Sequence, residues 1–484
     1  MLNPRRNLLL GAVWTVGQRM SIKGLGFLNT MIMARLLVPA DYGVVAMAML
    51  VVGLIQSLID FGSSTAILRK ETISKDEIDS AWTMTVIQHI VVACLLVALA
   101  PFAVRYFSEP RVQGVLWVLS ICICAAGFGN IGLTLARKQF SFAIDYKANV
   151  YGKLIGVLAT IVAGFYFRDY RGLVAGIASG YLAGLILSYA LHPYRPAWNV
   201  SKIAEIWQIT KWLMMAGISG FILRKGDELI AGRIGGSGEF GRYNVGADLG
   251  QTPVGEVGPA MLRAFLPVLA SINGTTSEVN YAVLKTIAVV NSIVIPLGLG
   301  FSALALPVTG LFLGPHWSGA AKYAAAFGVI SVLQVILSPC NTLLVYCGAT
   351  KVQNSVVWLE FFAFVVAAFL LVGQWGLLGL AFARIVSSLV NCIATVFVVR
   401  RYCQFDTYHL INAVGRPLLG AVLMYALITQ IIVPQVEGML LTVALSVMAG
   451  SVFYMIWSAL SWWFTGKQPG LESTIYGYFQ SRRS

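Results

Sequence analysis

ARLLVPADYGVVA, residues 34–46, closes one long apolar run and opens the next with an acid, an aromatic residue and a glycine. The same grammar returns as GRIGGSGEFGRYNVGA at residues 232–247. Arg35 matches Arg233, Asp41 matches Glu239, Tyr42 matches Phe240 and Gly43 matches Gly241, each at an offset of 198 residues. Each copy joins the end of one apolar segment to the start of another, which reads as one turn used twice in an internal duplication. The duplication predicts two parallel halves of six helices each, with substrate handled between them.

Composition extends this reading to the whole chain. Of its 484 residues, 58% are hydrophobic and only 11% charged, with a mean hydropathy of +0.78. Soluble domains average roughly 45–50% apolar and about 25% charged residues. A soluble fold of this length would lack polar surface, so the chain is an all-α polytopic membrane protein. A spanning helix needs about 20 apolar residues, and that rule finds about fourteen. They lie near 8–34, 43–59, 81–104, 113–135, 148–167, 172–191, 208–231, 243–270, 282–306, 320–346, 352–372, 376–399, 416–434 and 439–464. Residues 1–206 then form an N-terminal lobe and 207–400 a C-terminal lobe, while 401–484 carry two appended helices and a tail. The first span holds Gln18 and Arg19 in its middle and no small-residue cleavage site follows it, which marks it as a retained helix rather than a signal peptide.

Net charge is +14, from 34 Lys+Arg against 20 Asp+Glu. Membrane proteins concentrate such an excess in cytoplasmic loops. Assigning alternate loops puts Arg5, Arg6, Arg69, Lys70, Lys75, Arg137, Lys138, Lys147, Arg195, Lys202, Lys351, Arg400, Arg401, Arg416, Lys467, Arg482 and Arg483 on one side, with Arg35, Arg105, Arg111, Arg168, Arg171, Arg233 and Arg242 on the other. The first side holds the clear majority, so both termini are expected in the cytoplasm. Basic charge here needs no nucleic-acid partner. Seven scattered cysteines without a CxxC pair and four distant histidines offer neither a disulfide framework nor a metal site. The string DFG at 60–62 reads as a turn, and the glycine-rich stretch at 232–241 lacks the strand–turn–helix setting of a phosphate loop.

Ionisable residues inside spans carry the functional expectation, because each costs about 2.5–3.5 kcal/mol at the bilayer centre on insertion scales. Arg19 and Lys23 are four apart on the first span, which has no acid, so they share a face and repel each other. That pair needs water or an anion. Arg224, Lys225, Asp227 and Glu228 crowd the seventh span, where a self-neutralising pair from Arg224 to Asp227 or Glu228 is an alternative to a ligand role. Asp248, Glu256 and Arg263 lie in 243–270, a span with two prolines that must face a bundle interior or a water-filled cavity. Glu360 and Arg384 follow on later spans, with quiet hydrogen bonding as the alternative for Glu360.

Five stretches, in order, carry a family likeness: ARLLVPADYGVVAMA from residue 34, DFGSSTAILRK at 60–70, YNVGADLGQTPVGEVGPAMLRAFLPVLA at 243–270, LPVTGLFLGPHW at 306–317 and LLVYCGATKVQN at 343–354. Together they resemble the Wzx-type lipid-linked oligosaccharide flippases of the multidrug/oligosaccharidyl-lipid/polysaccharide exporter superfamily, closest to the exopolysaccharide branch. The resemblance implies a fourteen-helix, two-lobed fold in a bacterial inner membrane. It also implies transfer of an undecaprenyl-diphosphate-linked repeat unit from the cytoplasmic to the periplasmic leaflet. In that family cavity-facing cations bind the anionic headgroup, a role that falls here to Arg19 and Lys23, then to Arg224, Lys225 and Arg263. Membrane lipids are its medium, and a polysaccharide polymerase and export machinery are the protein partners it implies. One chain holds both halves, so a monomer can suffice. No cofactor and no catalytic residue is expected. The membrane potential alone could drive a diphosphate outward, with H⁺ or Na⁺ coupling through Asp248, Glu256 or Glu360 as the rival. A lipid II flippase and a cation-coupled drug exporter remain alternatives within the superfamily. A membrane-embedded polymerase or glycosyltransferase is the remote one, since the outer loops are too short for a catalytic constellation.

Overall fold

The computed structural model describes residues 4–57, 67, 73–271, 276–403, 405, 407–465 and 470–473. The turn at 60–62 lies outside them. All regular structure among the described residues is helical. The chain divides into two compact units, Met1–Gly241 and Arg242–Ser484.

The first unit begins with α1 (Pro4–Leu36), α2 (Pro39–Ser57) and α3 (Lys75–Phe107). Ser74 caps α3 reciprocally: its Oγ accepts from Glu77 N at 3.3 Å, and Glu77 Oε2 accepts from Ser74 N at 2.9 Å. A broken helix follows, α4 (Arg111–Gly127) and α5 (Gly132–Lys138), bent by 59°. Asn130 occupies the break, its side-chain NH₂ donating to the carbonyls of His192 and Tyr194 at 3.2 and 2.7 Å. Such a break is tolerated at membrane depth when neighbours satisfy the freed backbone. The hairpin of α6 (Phe142–Phe167) and α7 (Tyr170–Leu191) closes through Gly156, Gly164, Gly172 and Gly176, where backbone meets backbone. The connection out of this half, residues 192–202, is strapped along the first turns of α3. Tyr194 OH donates to Asp79 Oδ1 at 2.7 Å, Asn199 N to Thr83 Oγ1 at 3.0 Å and Lys202 N to Ser80 Oγ at 3.3 Å. Three positions on one face of α3 therefore hold the chain that leads to the next element, α8 (Ile203–Ser271).

α8 turns at Gly236, whose φ of 61° only glycine adopts freely. Here the duplicated turn proves to be a structural fact. A Cβ on Gly43 would strike the carbonyl of Ser237, and one on Gly241 would strike the carbonyl of Pro39. At the 198-residue offset Pro39 corresponds to Ser237 and Gly43 to Gly241. The contact is thus reciprocal, as in a twofold interface.

In the second unit the C-terminal part of α8 lays Gly246, Gly250 and Gly258 against α11 (Ala321–Val335). Tyr243 stacks edge-on to Tyr323 and Phe327, with centroids 5.2 and 5.3 Å apart. Residues 243–270 bury that glycine edge and leave Asp248 and Arg263 exposed within the unit. α9 (Thr276–Ala303) and α10 (Ala305–Leu313) precede α11, which breaks at 336–337 before α12 (Ser338–Tyr346). Asn291 Nδ2 donates to the Ile336 carbonyl at that break, at 3.2 Å. α13 (Thr350–Cys403) turns at Gly376 (φ 56°). α14 (Thr407–Leu427) and α15 (Met439–Phe464) complete the unit. Leu410, Ala421, Met424 and Tyr454 of these last two helices share a core with Val279, Val283, Ile287 and Val294 of α9, so the helices set apart in sequence as an appendage are packed into this unit.

Left-handed backbone recurs at matching places in the two halves. Phe140 and Gly348 both have positive φ and lie 208 residues apart, as do Arg168 and Gly376. At the same offset the broken helices coincide, 128–131 with 336–339. Nine helices among the described residues are long and apolar enough to cross a membrane, or ten with the bent pair, and one of the nine is the 54-residue α13.

Candidate functional site

α1 rests on α6 along one edge. Gly11 faces Phe142, Trp14 meets Tyr146 edge-on at 5.1 Å, Ser21 Oγ lies 3.2 Å from Tyr146 OH, and Met33 reaches Gly164. At 100° per residue, Arg19 and Lys23 fall on a different face, and both are exposed within the unit. Their neighbours on that face, Val16 and Met20, are 58% and 65% exposed. Arg19 engages no acid among the described residues, and α1 itself contains none. A helix presenting two like charges among apolar side chains is suited to an anion with a hydrophobic tail.

On α8 an ion pair joins Lys225 to Glu228, one turn apart. Asp227 and Glu228 are buried while Arg224 is exposed. The positive charge of Lys225 is therefore offset locally. The first unit thus carries Arg19, Lys23, Arg224 and Lys225, and the second carries Arg263 with Asp248, Glu256 and Glu360. Arg263 and Asp248 are exposed and Glu256 half-buried.

Glu360 sits within α13, where Asn391 Nδ2 donates to its Oε2 at 2.7 Å and Thr395 donates to Asn391 Oδ1 at 3.3 Å. Arg384 lies over the Phe364 ring at 5.2 Å. At the 208-residue offset Glu360 and Arg384 correspond to Gly152 and Gly176. Where the first half closes its hairpin with glycine, the second half inserts charge.

Two charge clusters escaped the sequence reading. The first gathers at the duplicated turn. Arg111 donates from Nε and Nη2 to the two Glu109 carboxylate oxygens, each at 2.9 Å, donates to Ser237 Oγ at 3.2 Å and lies 3.8 Å from Asp41. The Arg111 bond holds the Glu109 carboxyl below its ordinary range, against a smaller opposing effect of burial. The spacing Glu109–Pro110–Arg111 was the available signal. The second cluster is Arg416 with Glu472, whose partners are 56 residues apart and share no motif; Arg416 lies inside α14 and not in a loop.

Comparison with known proteins bears on what such a site serves. The profile of a family described as polysaccharide biosynthesis protein matches residues 32–322. Among curated relatives, the lipopolysaccharide biosynthesis protein WzxC of Escherichia coli (strain K12) is 22% identical over 400 residues, covering 82% of this chain and 81% of that protein. The succinoglycan biosynthesis transport protein ExoT of Rhizobium meliloti (strain 1021) is 22% identical over 337 residues, covering 69% and 67%. Among solved structures, the lipid II flippase MurJ in an inward closed conformation superposes with a TM-score of 0.74 at 12% identity, covering 94% of this chain and 99% of that one. An inward-facing multidrug resistance transporter of the MATE family gives 0.60 at 15% identity, covering 81% and 98%. At such identities the structural likeness speaks for the fold alone.

Proposed function

The chain belongs to the polysaccharide biosynthesis protein family, and from that premise we propose that it is a flippase for a lipid-linked oligosaccharide. It moves an undecaprenyl-diphosphate-linked repeat unit from the cytoplasmic to the periplasmic leaflet of a bacterial inner membrane, with both termini in the cytoplasm. The work is physical and no covalent chemistry is required. A diphosphate and several sugars must cross about 30 Å of hydrocarbon, where an unpaired anion is far too costly to bury. A cation-lined, water-filled path lowers that barrier while the polyprenyl tail stays in lipid. Alternating access would then expose the headgroup to each side in turn.

The observation that carries this reading is the exposed Arg19–Lys23 face of α1, a helix without a single acid. Those two cations hold the diphosphate, with Arg224 and Arg263 as further ligands and Lys225 tempered by Glu228. The double variant Arg19→Ala/Lys23→Ala is expected to insert normally yet abolish polysaccharide export. Mass spectrometry of polyprenyl-linked glycans should then find one complete repeat unit accumulating on the cytoplasmic leaflet. Undiminished export from the double variant would falsify the assignment. A lipid II substrate is the second reading, since the paired cations of α1 would serve its polyprenyl diphosphate equally well. Loss of a lipid II flippase should be lethal, whereas loss of an exopolysaccharide flippase should not.

A further inference from the structure

The helices α14 and α15 turn apolar side chains outward along most of their length, among them Leu419, Val422 and Leu423 of α14 and Met455, Ile456, Leu460 and Trp463 of α15. Between them lies a charge that this lipid-facing setting does not explain. Arg416 and its partner Glu472 are partly buried, each with a side chain only 13% exposed. Glu472 belongs to neither helix. It lies eight residues beyond the end of α15, in the short segment Gly470–Ser473 folded back against α14.

The chemistry of the site is only half used by that carboxylate. Glu472 Oε1 accepts from Arg416 Nη2 at 2.6 Å and from Ser458 Oγ at 2.5 Å. Its other oxygen, Oε2, is buried and meets no hydrogen-bond partner among the described residues. Arg416 Nη1 has only a 3.4 Å contact to Thr465 Oγ1. Trp457 Nε1 donates to the Arg416 carbonyl at 3.2 Å and holds the helix turn that carries the guanidinium. Gly470 lets the segment approach this closely, because a Cβ there would crowd Glu472 Oε2 at 2.8 Å and approach Arg416 Nη2 at 3.6 Å. Two donors thus meet on one carboxylate oxygen while the other oxygen goes unmatched. A tetrahedral phosphate would spread its oxygens over the guanidinium fork and the Ser458 hydroxyl, the geometry in which arginine binds phosphate bidentately.

We propose that Arg416 and Ser458 form a second anion site, built for the phosphate of an anionic membrane lipid, and that Glu472 is its tethered occupant. A buried ion pair is a poor way to stabilise a helix pair, since its desolvation cost rivals its attraction. It is a good way to hold a cation ready in an apolar wall. The short tether gives Glu472 an effective concentration on the order of millimolar. Anionic lipids in a leaflet, drawn to basic side chains near its surface, compete at that level. Lipid binding releases the C-terminal segment, and lipid departure lets it return. The site stands apart from the cations of α1, so failure of either assignment leaves the other intact.

The test uses the purified full-length chain and phosphatidylglycerol, with phosphatidylcholine as the uncharged-headgroup control. By native mass spectrometry Glu472→Gln should retain one additional phosphatidylglycerol, about tenfold more tightly than the wild type, and the gain should vanish in Arg416→Gln/Glu472→Gln. Inorganic phosphate should not displace the lipid at millimolar concentration; displacement would make this a free-phosphate site and overturn the lipid assignment. A fluorescent amino acid placed at Ser473 reads the same event with the ion pair intact, and decides the matter should Glu472→Gln not fold. Phosphatidylglycerol should raise its mobility and phosphatidylcholine should not. Equal mobility in the two lipids, or extra lipid retained without Arg416, sinks the proposal.

Discussion

Gly43 and Gly241 show how much can rest on a missing methyl group. Their Cα atoms lie against the carbonyls of Ser237 and Pro39, and backbone on both sides leaves no flexible side chain to give way. Gly43→Ala should therefore lower the unfolding temperature and the yield of inserted protein, by a core-overpacking cost of about 1–3 kcal/mol. Gly24→Ala on α1 is the control, because no atom lies within 4 Å of a Cβ there. It should be neutral or gain about 0.5–1 kcal/mol from helix propensity. Thermal unfolding of both variants in one detergent checks the contrast, and equal shifts would remove the close contact as an explanation. At this scale the sequence was informative where chemistry is local. Arg19 and Lys23 stood out because two cations on one face without an acid are costly inside a membrane. The Lys225–Glu228 pair was harder to assign, since four consecutive candidates allow several pairings and only rotamers choose among them. The grip of Arg111 on Glu109 and Ser237 joins residues 126 apart, which no spacing rule reaches.

Helices in this chain end and bend where backbone leaves the right-handed region, and the two halves do so at matching positions. Arg168 ends α6 with φ 52°, while its counterpart 208 residues on, Gly376, turns α13 with φ 56°. A left-handed conformation costs a non-glycine residue about 1–2 kcal/mol. Arg168→Gly should accordingly stabilise the first unit by roughly 1 kcal/mol, read as a rise in unfolding temperature without loss of export. A fall would mean that the Arg168 side chain contributes more than its backbone costs. The apolar segments were legible as elements because 20-residue runs leave few alternatives. Their joints were less so. The spans at 208–231 and 243–270 run together as α8, and those at 352–372 and 376–399 as α13, because each joint is one glycine wide. The breaks at 128–131 and 336–337 fall inside single apolar runs, where hydropathy carries no mark. At the first, Asn130 Oδ1 accepts from Gly132 N at 2.9 Å, and at the second Asn291 Nδ2 donates to the freed Ile336 carbonyl.

Across the whole molecule the two halves share a plan and differ in charge, and that difference bears on what drives transport. One duplicated turn, its copies 198 residues apart, was legible in the sequence, whereas the later matches at an offset of 208 share no motif. The energetics were not legible, because a buried carboxylate reads alike whether it binds a proton, a cation or only Asn391. Physics separates the cases. A diphosphate leaving a negative-inside cell gains about 2.3 kcal/mol per charge per 100 mV, or about 4.6 kcal/mol for two charges. That is roughly three decades of accumulation without any coupled ion, at 1.4 kcal/mol per decade. Outward flipping in sealed vesicles should therefore stop when valinomycin and K⁺ collapse the potential, and persist when nigericin collapses the proton gradient alone. Glu360→Gln should then leave the rate unchanged while the Asn391 contact survives as a neutral hydrogen bond. The opposite pattern, loss with nigericin and loss in Glu360→Gln, would move the driving force from the substrate's own charge to a proton carried through α13.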